Sequence, residues 1–178
     1  MQQFEKIFRK IILTWFGCGL VPKAPGTAGT IGTIPLAWWL LENTSVGCRI
    51  AVAFVITVIA CAVSGWDQKE NPVRDPQFIV IDETAGYLWN TVFFSSALSA
   101  LPALSSYFAA PSTTYILVLS FITFRIFDIA KPFPGNWFDN RSKDAKSPWF
   151  RGACIVLDDV VAGFYGAAIV FGFIYFGV

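Results

Sequence analysis

Histidine is absent from this 178-residue chain. No imidazole is therefore available as a metal ligand, a general base or a phosphoryl acceptor. Charge is also scarce: Asp, Glu, Lys and Arg make up 14% of the residues, where soluble domains carry about a quarter. The four cysteines, Cys18, Cys48, Cys61 and Cys154, form no C-x-x-C pair. None is followed six positions later by arginine, so thiol-phosphatase chemistry is excluded and all four read as structural. With 13 basic and 12 acidic residues the net charge is +1, too little for a nucleic-acid binder. A cleavable signal peptide is not expected, since basic residues continue to Lys10 and no small-x-small site follows. What the chain does have is apolar bulk. Hydrophobic residues reach 55% and the mean hydropathy is +0.58, which excludes an ordinary soluble enzyme and a disordered chain. An integral membrane protein is the expectation.

Uncharged stretches run from Ala24 to Leu41, Ile50 to Trp66, Thr84 to Phe124 and Val160 to Val178. A helical span takes about 20 residues, so three of these fit one crossing each. The long third stretch carries Pro102 and Pro111 near its middle and reads as two spans with a turn between them. The expected fold is an all-α membrane bundle of about five transmembrane spans, forming a single domain over residues 1–178. Placing the N-terminus inside puts every Lys and Arg except Arg49 on the cytoplasmic side. Residues 140–151 then form a cytoplasmic loop. In segment 1–23, Phe4, Ile7, Phe8, Ile11, Ile12 and Trp15 recur at helical spacing, with Glu5, Lys6, Arg9 and Lys10 on other faces. That pattern fits an amphipathic interfacial helix or a helix packed on the bundle.

This topology brings distant acidic residues to one membrane face. Asp82 and Glu83 open one span, Asp128 closes the next, and Asp158 with Asp159 opens the last. Carboxylates gathered without His or Cys suit a hard cation with oxygen ligands, Mg²⁺ above all. Such an ion beside Lys and Arg can clamp and polarise a phosphate. Arg125 and Asp128 stand three apart on one helical face, and Lys131 follows at the helix end before Pro132 and Pro134. Acidic pairs also stabilise helix N-termini through the macrodipole, which is the plainer account of each pair. Adjacent residues diverge by about 100°, so one member of each pair is expected to face the site. The run Pro25-Gly26-Thr27-Ala28-Gly29-Thr30, with Lys23 upstream, suits either anion binding or close helix packing. Trp15, Trp66, Trp137 and Trp149 are candidate interfacial aromatics.

The segments Leu20–Thr30, Ile79–Gly86, Phe124–Pro134 and Leu157–Gly163 resemble, in order, the motifs of the bacterial phosphatidylglycerophosphatase A family. The resemblance implies a Mg²⁺-dependent phosphatase of the bacterial inner membrane with its active site facing the cytoplasm. Its substrate would be phosphatidylglycerophosphate in the inner leaflet and its products phosphatidylglycerol and inorganic phosphate. It carries over Asp82, Glu83, Asp158 and Asp159 as metal-binding carboxylates, with Asp128 completing the metal shell or taking a proton from the attacking water. Arg125 and Lys131 would hold the phosphate, assisted by Lys23, Thr27 and Thr30. Water and a carboxylate both remain open as nucleophile. The alternative function is a cation- or proton-coupled transporter built on the same acidic cluster.

Overall fold

Breakers and caps fall where the helices begin and end. The computed structural model describes residues 2–72, 76–100 and 112–176. It contains α1 (Gln2–Leu13), a 3-10 turn (Cys18–Leu20), α2 (Pro25–Asn43), α3 (Val46–Glu70), α4 (Ile81–Ala100), α5 (Thr113–Ala130), α6 (Gly135–Asp144) and α7 (Pro148–Phe176). Pro25 starts α2, where its missing N–H costs nothing. The side chains of Ser45 and Ser112 accept from the first-turn amides of Cys48 and Tyr115, capping α3 and α5. Lys131 closes α5 in the left-handed conformation at φ 42°, which turns the chain back toward α6. No strand occurs among the described residues.

Glycine sets the closest crossings. A Cβ on Gly163 of α7 would collide with the Gly86 carbonyl oxygen of α4, and one on Gly86 would collide with the Asp159 carbonyl. The same holds between α7 and α3, where a Cβ on Gly152 would strike the backbone of Gly65. Without side chains between them the backbones meet directly, as small residues permit in membrane bundles. Tyr87, Phe94 and Phe124 are fully buried around the α4 axis. The Tyr87 hydroxyl donates to the Leu117 carbonyl at 3.0 Å, tying α4 to α5.

The span count is lower than expected. Among the described residues three helices are long and apolar enough to cross a membrane: Val46–Glu70, Thr113–Ala130 and the Pro148–Ile169 part of α7. The helices α2 and α4 do not meet that apolarity. The reason is visible in α4, whose Thr84, Asn90, Thr91 and Ser95 are buried inside the bundle. A helix sheathed by others does not need side chains that lipid accepts. The turn expected at Pro102 and Pro111 lies outside the described residues.

Residues 140–151 are not a loop. Helix α6 runs to Asp144 and α7 starts at Pro148, leaving only 145–147 between them. Segment 1–23 divides into α1 and the 3-10 turn. Phe4, Ile7, Phe8 and Ile11 of α1 point outward. Arg9, by contrast, is buried on α3, with its guanidinium 4.6 Å from the Trp66 ring and Nη2 donating to Glu70 at 2.9 Å. The helix is both packed and amphipathic, with its apolar face outside.

Aromatic residues collect at both ends of the bundle. Trp66, Trp137 and Trp149 are exposed near the start of α7, and Trp38 and Trp39 are exposed at the far end of α2. Arg49, the exception to the charge pattern, donates to the carbonyls of Leu40, Leu41 and Thr44. It closes the C-terminus of α2.

Candidate active site

The helices α2, α4 and α7 begin at the end of the bundle where α5 finishes. A cavity of about 490 Å³ opens there, and its wall includes Gly26, Asp82, Glu83, Arg125, Asp128, Lys131, Asp139, Asp158 and Asp159. The first turn of α4 supplies Asp82 and Glu83, and the last two turns of α5 supply Arg125 and Asp128. Asp158 and Asp159 come from α7 ten and eleven residues after its first residue, Pro148. Stabilisation of a helix N-terminus therefore does not account for that pair, and both carboxylates are buried, at 6% and 4% exposure. For Asp82 and Glu83 the N-terminal placement does hold. The Asp82 Oδ1 accepts from the Glu83 amide at 3.0 Å.

Oxygens of Asp82, Glu83 and Asp159 lie within 4.8 Å of one another. Glu83 Oε2 is buried with no hydrogen-bond partner among the described residues. An all-oxygen set of this kind, with an unsatisfied acceptor turned inward, fits a hard divalent cation. The wider balance agrees. Among the described residues six carboxylates line the cavity (Asp82, Glu83, Asp128, Asp139, Asp158, Asp159) against two cations, Arg125 and Lys131. Crowding like charges away from water is unfavourable unless positive charge is added.

The second half of the cavity is a chain of alternating charge. Lys131 Nζ donates to Asp158 Oδ2 at 2.6 Å and to Asp139 Oδ1 at 2.8 Å. Lys143 Nζ donates to the other oxygen of Asp139 at 2.5 Å. Burial alone would lower the Lys131 pKa, but the two carboxylates override it and hold the ammonium well above its ordinary value. Burial pulls Asp139 the other way, upward, and its bonds to Lys131 and Lys143 bring it below the usual carboxylate value. Beside this chain Arg125 Nη1 pairs with Asp128 Oδ2 at 2.5 Å.

The structure sorts the expected residues. All five acidic positions, with Arg125 and Lys131, line the one cavity. Both members of each acidic pair reach it, contrary to the expectation of one apiece. The divergence between neighbours instead separates their partners: Asp159 joins Asp82 and Glu83, while Asp158 turns to Lys131. Asp158 thus stands outside the three-residue cluster.

Lys23, Thr27 and Thr30 are not among the residues that line the cavity. Thr30 is fully buried and donates to the Gly26 carbonyl of its own helix at 2.9 Å. Gly29 abuts Val80, and Thr33 meets Thr84 at 2.9 Å. Most of the glycine-threonine run therefore serves packing. Gly26 is the exception, because a Cβ there would collide with the Glu83 carboxylate. Sequence reasoning missed Asp139. Its signal was the i,i+4 spacing to Lys143 on a helix opened by Pro134-Gly135.

Comparison with known proteins bears on the family. The family model for phosphatidylglycerophosphatase A matches residues 11–174. The chain belongs to that family. A Haemophilus influenzae phosphatidylglycerophosphatase A is 30% identical, with 93% of this chain and 88% of that protein covered. The Escherichia coli protein of the same name is 31% identical, over 90% of this chain and 80% of its own length. A Bacteroides thetaiotaomicron protein described as a candidate phosphatidylinositol-3-phosphatase is 29% identical, over 87% and 86%. No solved structure gives a significant match. The phosphatidylglycerophosphatase A family is one of phosphatases, so this chain is an enzyme, and the transporter alternative is not favoured.

Proposed function

We propose that the protein hydrolyses phosphatidylglycerophosphate to phosphatidylglycerol and inorganic phosphate with the help of Mg²⁺, as a step in phosphatidylglycerol synthesis. The observation that carries this reading is one cavity holding a three-carboxylate cluster next to an arginine and a lysine. Asp82, Glu83 and Asp159 would hold the ion, with Asp158 at the border. A divalent ion held there supplies charge neutralisation and Lewis acidity at the phosphoryl group.

The remaining work falls to side chains. Arg125, aligned by Asp128, and Lys131, aligned by Asp158 and Asp139, bind the phosphate oxygens and offset the charge that grows on them. A water oxygen attacks the terminal phosphorus in line with the glycerol oxygen, and the P–O bond to glycerol breaks. Asp128 takes the proton released by the water and gives it to the departing glycerol oxygen, which leaves as the alcohol. No histidine is needed at any step.

The reading places the enzyme in the bacterial inner membrane with its cavity at the cytoplasmic face. Support comes from the positive charge gathered at the cavity end and from exposed tryptophans at both ends of the bundle. The acyl chains then stay in the inner leaflet while the phosphate enters the cavity. Ile129, which lines the cavity yet is 75% exposed, marks the rim between the two environments.

The deciding assay is phosphate release by detergent-purified protein from phosphatidylglycerophosphate, phosphatidylinositol 3-phosphate and phosphatidate. Each substrate is run with Mg²⁺ and with chelator, beside Asp82→Asn and Asp159→Asn. Preferred turnover of the first substrate, abolished by chelator and by both folded variants, is the expected result. Absence of release from folded wild-type protein at every Mg²⁺ level refutes it. Faster release from the inositol lipid moves the substrate assignment there.

A further inference from the structure

A second cavity, of about 450 Å³, lies outside the catalytic one and is lined by Lys6, Arg9, Lys10, Leu13, Leu20, Asp67, Glu70, Asn71 and Phe78. The two are neighbours: Pro76, Gln77 and Ile79 line the catalytic cavity, while Phe78 lines the second. At about 30 Å³ per water, the space is far larger than a bare ion requires.

Its polar wall is unfinished. Arg9 and Asp67 are 7% and 8% exposed, so each is more than nine-tenths buried. Arg9 Nη2 is taken by Glu70 and its plane lies over Trp66, yet among the described residues Nη1 has no hydrogen-bond partner. Among the described residues Asp67 Oδ2 likewise has none, and Oδ1 receives a long 3.5 Å contact from Asn71, while Arg9 acts on the carboxylate through its charge alone. Leaving a buried charged donor and a buried charged acceptor unpaired is costly. A ligand that brings one anion and one cation satisfies both.

Signs are segregated across the cavity. Lys6, Arg9 and Lys10 belong to α1, whereas Asp67 and Glu70 belong to α3. A divalent metal is disfavoured by the three cations, and a purely anionic ligand leaves Asp67 unmet. We propose that this cavity binds an aminoalkyl phosphate, with the phosphate on the α1 cations and the ammonium on Asp67. Phosphodiester and ammonium are joined in this way in a phosphatidylethanolamine headgroup and in soluble glycerophosphoethanolamine. Leu20 at the rim is 59% exposed, which gives the cavity an apolar edge for acyl chains.

Native mass spectrometry of the detergent-purified full chain tests this, with dioleoyl phosphatidylethanolamine and dioleoyl phosphatidylglycerol as probes. The ethanolamine lipid is expected to bind about tenfold more tightly, the value of one charge-assisted hydrogen bond. Asp67→Asn removes that preference, and Lys10→Gln weakens both lipids. Phosphatase turnover in Asp67→Asn, expected unchanged, reports that the variant is folded. Equal binding of the two lipids, or a preference that survives Asp67→Asn, overturns the proposal. Competition by glycerophosphoethanolamine supports the site with the headgroup as its whole ligand. Displacement by the intact lipid alone supports it with acyl chains included.

Discussion

Substituting alanine for Gly163 tests the claim that backbone contact between α4 and α7 sets the spacing of the carboxylates. The added methyl meets the Gly86 carbonyl oxygen and, close by, the Asn90 amide. Neither belongs to a flexible side chain, so the helices must part. Overpacking costs about 1–3 kcal/mol, and contact with backbone puts this site in the upper part of that range. Helix propensity returns up to about 1 kcal/mol on replacing glycine by alanine. The net loss is about 1–2 kcal/mol. Gly172 of the same helix has no atom within 4 Å of a built Cβ, so Gly172→Ala should keep the propensity gain without the clash. Reversible unfolding in mixed detergent micelles measures both. Activity should separate them further, because Asp159 lies one turn before Gly163 and Glu83 one turn before Gly86. A shift of 1 Å at such a constellation costs about 10²-fold in rate. The reasoning is refuted if Gly163→Ala matches Gly172→Ala in stability and in turnover.

Other consequences are simpler to check. Arg49→Ala should lower stability by about 1–3 kcal/mol through loss of three charge-assisted bonds to carbonyls, while turnover at the opposite end of the bundle is unchanged. Thr27→Ala and Lys23→Gln should leave phosphate release unaltered, since neither residue lines the cavity; a loss in either would restore the anion-loop reading of that run. Asp139→Asn addresses pH. The Asp139 pKa is depressed from an ordinary 3.8, so its contribution to stability is complete above that value and disappears as the pH falls through the lower folded value. Melting curves should show wild type ahead of Asp139→Asn at neutral pH and the gap closing below about pH 4. A gap that persists in strong acid contradicts the charge chain.

Much of the cavity wall could be read from residue order, because charge in a chain this apolar is confined to helix ends. Residue order alone brings Asp82, Glu83, Arg125, Asp128 and Lys131 to one end of the bundle, where they line the cavity. The depth of Asp158 and Asp159 was not, since Pro148-Trp149-Phe150-Arg151 looks like a loop when only uncharged runs are counted. A proline at the first helical position and an arginine bound to the Ala145 carbonyl at 2.8 Å start α7 well before its apolar stretch. Asp139 was hidden for a related reason. The left-handed turn at Lys131 folds α6 back over the cavity, and no local periodicity announces a reversal of that kind. Span counting failed at α4, where hydropathy could not distinguish a helix wrapped by protein from one facing lipid. The glycine-threonine run shows the reverse difficulty: its composition fits two jobs, and only the neighbours of Gly26 and Gly29 divide it between them.

The direct backbone contacts of α7 with α3 at Gly65 and Gly152, and with α4 at Gly86 and Gly163, also bear on how the protein lives with changing membranes. Bilayers thicken and thin with their lipids, and a helix bundle meets the mismatch by tilting, sliding or drawing the bilayer toward itself. Sliding is the response that would pull Asp159 away from Asp82 and Glu83. Three helices with no side chains between them at these crossings have little freedom to slide, so they answer by leaning together or by deforming the lipid around them. The distances between the carboxylates of Asp82, Glu83 and Asp159 should thereby be insulated from bilayer thickness.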